Sequence, residues 1–193
     1  VQILSELKAE WLKRIEVIAD KLAKGSDATL REAIQHATVL REAGRRGEML
    51  VILKRYLDEH RSADNAVTQA IQVAGFLGRS DRIWESKELL LGYREEQDSK
   101  TLEVDAALGS LLHGIGNCEE ALPFLMAAGE ARNDLEMKLR AADCLIRLGR
   151  LDESEILIAK LSAASPNNYQ ILMVTAGLQR GRGTIAEASG DIE

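Results

Sequence analysis

The sequence predicts an all-α fold, a right-handed solenoid of about five helix-turn-helix repeats preceded by one long N-terminal helix, and three observations carry that expectation. Leu, Ala, Glu, Arg and Lys dominate a chain of 193 residues that holds only two prolines and 4% aromatics, which favours helix over strand. Over residues 2–23 the apolar side chains recur at steps of three and four, the period of a helix face. Further on, Gly44, Gly78, Gly116, Gly149 and Gly183 are spaced by 34, 38, 33 and 34 residues, so one turn recurs along the chain.

The first helix is read over 2–23, where Val1, Leu4, Trp11, Ile15, Ile18 and Leu22 share a face that only Lys8 interrupts. Gly25-Ser26-Asp27 supplies a stop and a fresh N-cap, which separates residues 1–25 from a repeat domain over 26–193. Two readings of this helix stand: a cap or preceding-repeat remnant on the end of the array, or a coiled-coil-like arm for self-association. The glycine ruler then predicts helix pairs over 27–43 with 47–58, 64–77 with 81–94, 101–114 with 118–129, 133–148 with 152–163, and 167–180 with 184–190. The extra residues of the 38-residue interval are assigned to LGYREEQDSKT, residues 91–101, and Gly181 competes with Gly183 for the last turn. Because the chain opens on Val1 rather than Met and stops inside what should be a final helix, a piece of a longer protein is expected.

Packing columns follow from the same ruler. Seven residues before each glycine stand Ala37, Ile71, Gly109, Ala142 and Ala176; five after stand Met49, Ile83, Ala121, Ser154 and Ala188; nine after stand Leu53, Lys87, Leu125, Ile158 and Ile192. Small residues in the first two columns let paired helices approach closely. The first two units fit poorly, with Met49, Ile71 and Ile83 where small side chains are wanted.

The clearest unit is Leu135 to Asn168, LEMKLRAADCLIRLGRLDESEILIAKLSAASPNN. Its Ala141-Ala142 pair, its Leu148-Gly149-Arg150 closure, Ser154, Ile158 and Leu161 on the second helix, and Pro166 at the end resemble the tetratricopeptide repeat. The resemblance extends over about residues 30–193 and implies that the first helix of each pair lines a concave surface. On that surface it places Gln69, Gln72, Ser110, His113, Leu139, Arg140, Asp143, Ile146, Met173 and Val174 as candidate partner-binding residues. The amide-rich N-terminal half suits hydrogen bonds to an extended backbone. Leu139, Ile146, Met173 and Val174 form an apolar patch suited to a helix or an apolar side chain of a partner, or to a neighbouring helix of the parent protein.

Chaperone-binding members of the family hold a terminal carboxylate with Lys, Asn and Arg; here only Arg140 falls in a matching column, Ile34 and Thr38 occupy the other places, and a heat-shock chaperone tail is not expected. Arg45, Arg46, Arg79, Arg82, Arg150 and Arg182 flank the ruler glycines. They stand either as an anion-binding edge beside the N-termini of the second helices or as solvated turn residues.

Other chemistries find little support. A net charge of −6 argues against a nucleic-acid binder, because neutralising phosphates needs a basic face. Cys118 and Cys144 are too few for a disulfide framework and read as small buried thiols that fit a reducing compartment. With no long apolar run and no signal-peptide pattern, no membrane span is expected; the compartment is read as cytoplasmic, with periplasmic left open. His36, His60 and His113 are isolated, no zinc, phosphate-loop or dinucleotide motif occurs, and Glu95-Glu96 and Glu119-Glu120 fit solvated helix faces. No catalytic site, metal or cofactor is expected. The function read from this is a non-enzymatic scaffold or adaptor that binds a peptide or protein on the concave face. The alternative is an accessory module of a larger enzyme or assembly, for example in polysaccharide biosynthesis or glycosyl transfer; a self-assembling array is a third class.

Overall fold

The computed structural model describes residues 28–96 and 101–190, together with Lys13 and residues 17–19. The rest of the expected helix over 2–23, its boundary at residue 25 and any self-association through it lie outside the described residues. Those residues form nine helices and no strand: α1 (Leu30–Glu42), α2 (Arg46–Glu59), α3 (Ala66–Gly78), α4 (Ile83–Glu96), α5 (Thr101–Gly114), α6 (Cys118–Ala131), α7 (Leu135–Arg147), α8 (Leu151–Ala164) and α9 (Tyr169–Gly190). The expected all-α repeat of helix pairs is therefore what the chain adopts.

The turns inside the pairs share one device. A residue with positive φ follows the first helix, and the next residue's N–H reaches back to the carbonyl five positions earlier: Gly44 with Arg45 N to Leu40 O at 2.8 Å, Gly116 with Asn117 N to Leu112 O at 3.0 Å, and Gly149 with Arg150 N to Leu145 O at 2.9 Å. This is the Schellman closure, which satisfies carbonyls that the helix end would leave open. In the second pair the positive φ belongs to Asp81, not to Gly78, and Arg82 N reaches Leu77 O at 3.0 Å. Gly78 is the last residue of α3. Asp enters the left-handed region more readily than most side chains, so the turn can move three residues past the glycine.

That shift restores the columns that the glycine ruler broke. Counted from Gly44, Asp81, Gly116 and Gly149, the residues seven before are Ala37, Ala74, Gly109 and Ala142, all buried. The residues five after are Met49, Ser86, Ala121 and Ser154, and those nine after are Leu53, Leu90, Leu125 and Ile158, again all buried. Ile71, Ile83 and Lys87, expected in these columns, are only half-buried because they stand three residues out of register. The extra length of the 38-residue interval is accordingly not all in 91–101; part of the irregular spacing lies in the turn residues 60–65 between α2 and α3.

The chain divides into two compact units between Leu89 and Leu90. In the first, α1 is opened by a capping box: Glu32 N donates to Thr29 Oγ1 at 3.3 Å and Thr29 N to Glu32 Oε2 at 2.9 Å. Arg41 ties α1 to the turn after α3, donating to Ser80 Oγ at 3.3 Å with its guanidinium 5.5 Å from the Phe76 ring centre. Ser86 Oγ donates to Ala74 O at 2.8 Å. His36 is buried in this unit, and its Nδ1 has no hydrogen-bond partner.

In the second unit one core cluster gathers Leu112, Leu122, Leu125, Met137, Ala141 and Leu145 between α5, α6 and α7. Another gathers Leu139, Ala142, Ile158, Leu161, Ile171 and Leu178 between α7, α8 and α9. Ser154 Oγ donates to Ala142 O at 3.0 Å, the same twelve-residue step that Ser86 makes in the first unit. At Gly109 an added Cβ would sit 2.8 Å from Leu125 Cγ and 3.1 Å from its backbone N, so α5 and α6 meet there at a distance only hydrogen allows. Arg94 Nε pairs with the buried Asp105 Oδ1 at 2.6 Å while its guanidinium lies 5.5 Å from the centre of Phe124.

One expected turn is absent. α9 continues without a break through Gly181 and Gly183 to Gly190, so residues 184–190 are not a separate helix, and among the described residues the fifth unit shows only its first helix. An interior glycine costs a helix only about 0.5–1 kcal/mol relative to Ala, and it forces a turn only where a left-handed closure forms.

Two ruler glycines should therefore respond oppositely to alanine. Gly149→Ala puts a Cβ on a residue at φ 73° and should lower stability by about 1–2 kcal/mol, whereas Gly183→Ala, with open space around it, should raise it by up to about 1 kcal/mol in urea denaturation. A loss at position 183 would reinstate the turn there. In the tight column, Ala142→Leu should cost about 1–3 kcal/mol by overpacking a fully buried site, and an unchanged urea midpoint would refute that packing.

Stability should also depend on pH through His36, whose pKa burial, then the nearby Arg45, pushes below the usual value of about 6.5. The folded state favours the neutral ring, so stability is lost as pH falls below the unfolded value and levels off once the folded value is passed. Urea midpoints should fall between about pH 7.5 and pH 5.5, and His36→Gln should flatten that slope. Glu48, held low by its hydrogen bond from Arg45, acts in the same direction at lower pH, where its carboxylate is neutralised.

Candidate partner-binding groove

The second unit carries a groove of about 370 Å³ between the first helices of consecutive units. One wall is α7, presenting Glu136, Leu139, Arg140 and Asp143 at one-turn steps; the other is α9, presenting Tyr169, Gln170, Met173 and Val174. His113 of α5 closes one end. The helix starts are set by their caps: Asp134 Oδ1 accepts from Glu136 N at 2.9 Å and Met137 N at 3.3 Å, and Asn168 Oδ1 accepts from Gln170 N at 2.8 Å. These caps fix where the first turn of each wall begins.

Six of the residues expected from sequence, His113, Leu139, Arg140, Asp143, Met173 and Val174, meet in this groove. Leu139 differs from the rest in being only 6% exposed: it is a member of the α7–α8–α9 core and forms the floor, not an open patch. Ile146 packs half-buried against that core, close to where side chains at Gly177 and Gly181 would project. Ser110 is turned to Met137, with Oγ 3.8 Å from Sδ. In the first unit Gln72 is exposed. The Gln69 carbonyl oxygen is buried without a partner, because relative to Asp81 its position matches Val104 and Met137, which point into the core. The exposed apolar surface of the groove comes from Met173 at 52% and Tyr169 at 71%, with Leu172 at 56% beside them. Sequence reasoning missed Tyr169, Gln170 and Glu136; each lies one turn before the central column on its helix, so extending that column by a turn would have found them.

The charges around the groove are paired among themselves. Arg140 is bonded to Glu136 on its own helix, and Asp143 Oδ2 accepts from both His113 Nε2 at 2.8 Å and Arg147 Nε at 2.9 Å. What remains is an apolar strip edged by satisfied ion pairs, a surface suited to burying an apolar side chain.

Four of the six arginines of that edge are paired in the same way. Arg45 and Arg150 each grip the Glu three residues on with two nitrogens, at 2.7 and 2.5 Å to Glu48 and 2.7 Å twice to Glu153. Arg82 pairs with Glu85 at 2.8 Å, and Arg182 with Asp152 at 3.0 Å and Glu155 at 2.6 Å. Hydrogen bonding to Arg150 holds the Glu153 carboxyl below the usual range. Arg45, Arg82 and Arg150 tie their turns to the second helices, Arg182 ties α9 to α8, and these pairs leave less charge for an anionic partner. A second depression, about 490 Å³, is lined by Val51, Lys54, Arg55, Asp58 and Glu59, all on α2, and is the outer face of a single helix rather than a cleft between elements. Among the described residues no cluster of three or more His, Cys, Asp or Glu could hold a metal ion, and no helix is long and apolar enough to cross a membrane.

Residues 102–177, from α5 into the first turns of α9, match the family model of the tetratricopeptide repeat. No curated protein sequence matches the chain significantly. Among solved structures the chain is similar to MamA MSR-1 C2, with a TM-score of 0.58 at 21% identity over 84% of this chain and 91% of that one. It is also similar to a putative kinesin light chain of Podosopora anserina with nearly identical TPR-like repeats, with a TM-score of 0.54 at 13% identity over 90% of this chain and 91% of that one. At these identities the likeness is one of fold. The left-handed turn closures, the small buried columns and the match to the tetratricopeptide repeat model over residues 102–177 agree with one another.

Proposed function

We propose that the chain is a protein–protein interaction module, a non-enzymatic scaffold or adaptor, that holds a peptide or protein segment in the groove between α7 and α9. The observation that carries this reading is the combination at one place of a core-anchored floor, Leu139, with exposed apolar side chains, Met173 and Tyr169, inside a rim whose charges are already paired. A buried floor does not move when a ligand arrives, so less ordering opposes binding. Met and Tyr on the wall provide apolar area of the kind that anchors interfaces. The match of residues 102–177 to a repeat family built from paired helices supports the same reading.

The test is a displayed peptide library selected on the whole chain, followed by affinities measured on variants. Met173→Asp combined with Tyr169→Ala should weaken selected peptides by about 2 kcal/mol, roughly 30-fold, without moving the thermal midpoint. Leu139 is unsuitable for this purpose, since an Asp there would enter the core. Arg79→Glu with Arg150→Glu should leave those affinities unchanged. Peptides that survive the groove variant and fail on the turn variant, with a steep salt dependence, would transfer the site to the arginine edge.

A further inference from the structure

The chain has four methionines, and they differ in access to solvent. Met49 is fully buried in the first unit, Met137 is buried in the α5–α6–α7 core with Ser110 Oγ 3.8 Å from its Sδ, and Met126 is half-buried against the same core. Of the four, Met173 alone stands open, 52% exposed on the α9 wall of the groove and one turn after the exposed Tyr169. We propose that Met173 is a modification site, at which a peroxide converts the thioether into a sulfoxide and thereby loosens the groove's hold on an apolar partner. The loosening rests on the proposed role of the groove; the oxidation site does not.

Oxygen transfer to a thioether needs the peroxide to reach a sulfur lone pair, so exposure decides which methionine reacts. The Met173 sulfur attacks one oxygen of hydrogen peroxide; the S–O bond forms as the O–O bond breaks, and the departing hydroxide takes the proton from the transferred oxygen and leaves as water. Sulfur loses two electrons and the peroxide gains them. A flexible apolar side chain becomes one with a strongly polar oxygen. At Met49 or Met137 that oxygen would enter the core, whereas at Met173 water solvates it, and the α7–α8–α9 core keeps Ile171 and Leu178 as its contacts from the same helix. The cost arises when a partner's apolar side chain settles on the Leu139 floor and strips that water away. The guanidinium groups of the rim are poor substitutes, because Arg140 is already bonded to Glu136 and Arg147 to Asp143. A thiol-dependent sulfoxide reductase runs the change backward: two thiols become a disulfide and the oxygen leaves as water.

The whole chain, natively folded, is exposed to dilute hydrogen peroxide, quenched with catalase, and followed by intact mass, tryptic mapping, circular dichroism and thermal melting. Lys and Arg residues separate the four methionines, so each falls in its own tryptic peptide. One oxygen should be gained, on the peptide from Leu161 to Arg180, with helix content and thermal midpoint unchanged. Peptides selected on the untreated chain, and weakened by Met173→Asp with Tyr169→Ala, should bind the oxidised chain about 10-fold more weakly, the scale of one apolar contact made polar, and recover after sulfoxide reductase with dithiothreitol. Met173→Leu, which keeps the volume and lacks the sulfur, should gain no oxygen, and its affinity should be the same before and after peroxide. Oxygen appearing first at Met126 or Met137, or a loss after peroxide that Met173→Leu shares, would overturn the proposal. So would a sulfoxide at Met173 that leaves the affinity of those groove-dependent peptides unchanged, a result that keeps the groove as the binding site. An absence of selected peptides, or peptides that ignore Met173→Asp with Tyr169→Ala, would instead overturn the role of the groove, and the loosening with it.

Discussion

Each pair of helices depends on one residue that accepts a left-handed backbone and on the bond its successor makes to the carbonyl five positions back. The closure sets the rotation of the second helix about the first, and so decides which side chains meet between them. Where it forms at Gly44, Asp81, Gly116 and Gly149, the residues seven before and five after are buried in every case. The twin bonds from Ser86 to Ala74 O and from Ser154 to Ala142 O are its consequence: equal offsets from Asp81 and Gly149 put the same hydroxyl beside the same carbonyl in two units.

The period and the helical fold were legible from residue spacing because apolar and small residues recur with the turn. The register of the second unit was not, because glycine stands in for the left-handed conformation without guaranteeing it. Gly78 remains helical and Asp81 takes the strained position, which displaced Ile71, Ile83 and Lys87 into columns that Ala74, Ser86 and Leu90 fill. Gln69 was drawn into the candidate site by the same three-residue error. The same failure occurs at Gly183, where the glycine sits in an uninterrupted helix and no neighbouring residue takes over the turn. In the third and fourth units the glycines do carry the turns, and there the expected His113, Leu139, Arg140 and Asp143 fall on the groove.

Leu139 and Met173 occupy equivalent places in their units and nevertheless have opposite environments. Leu139 is covered because α9 packs on α7, bringing Ile171 and Leu178 into its cluster, while Met173, on the groove wall of α9, stays 52% exposed. A sequence column records which face of a helix a residue occupies, but burial depends on the next helix, whose path is a tertiary fact. The charged residues show the same limit. The arginines at the turns suggested a field reaching outward, yet each of Arg45, Arg82 and Arg150 is satisfied by a Glu one turn on, a short-range pairing that becomes evident only once the second helix starts immediately after the turn.

If charge is spent inside the turns and along the groove rim, affinity must come from apolar area, and that has a consequence for selectivity. The rim pairs Glu136–Arg140 and Asp143–Arg147 are already made, so a partner's charge gains little by approaching them and pays desolvation if it displaces one. The open wall is made by a flexible thioether and an exposed phenol ring. Such a surface adapts to different apolar side chains and grades them by size rather than by hydrogen-bond pattern. Removing one methylene from a ligand anchor changes apolar binding by about 1 kcal/mol, whereas a pocket that must satisfy a specific donor penalises its loss far more. On the proposed function, the groove would therefore favour a family of related segments over one, with the buried Leu139 floor limiting how deep an anchor could reach.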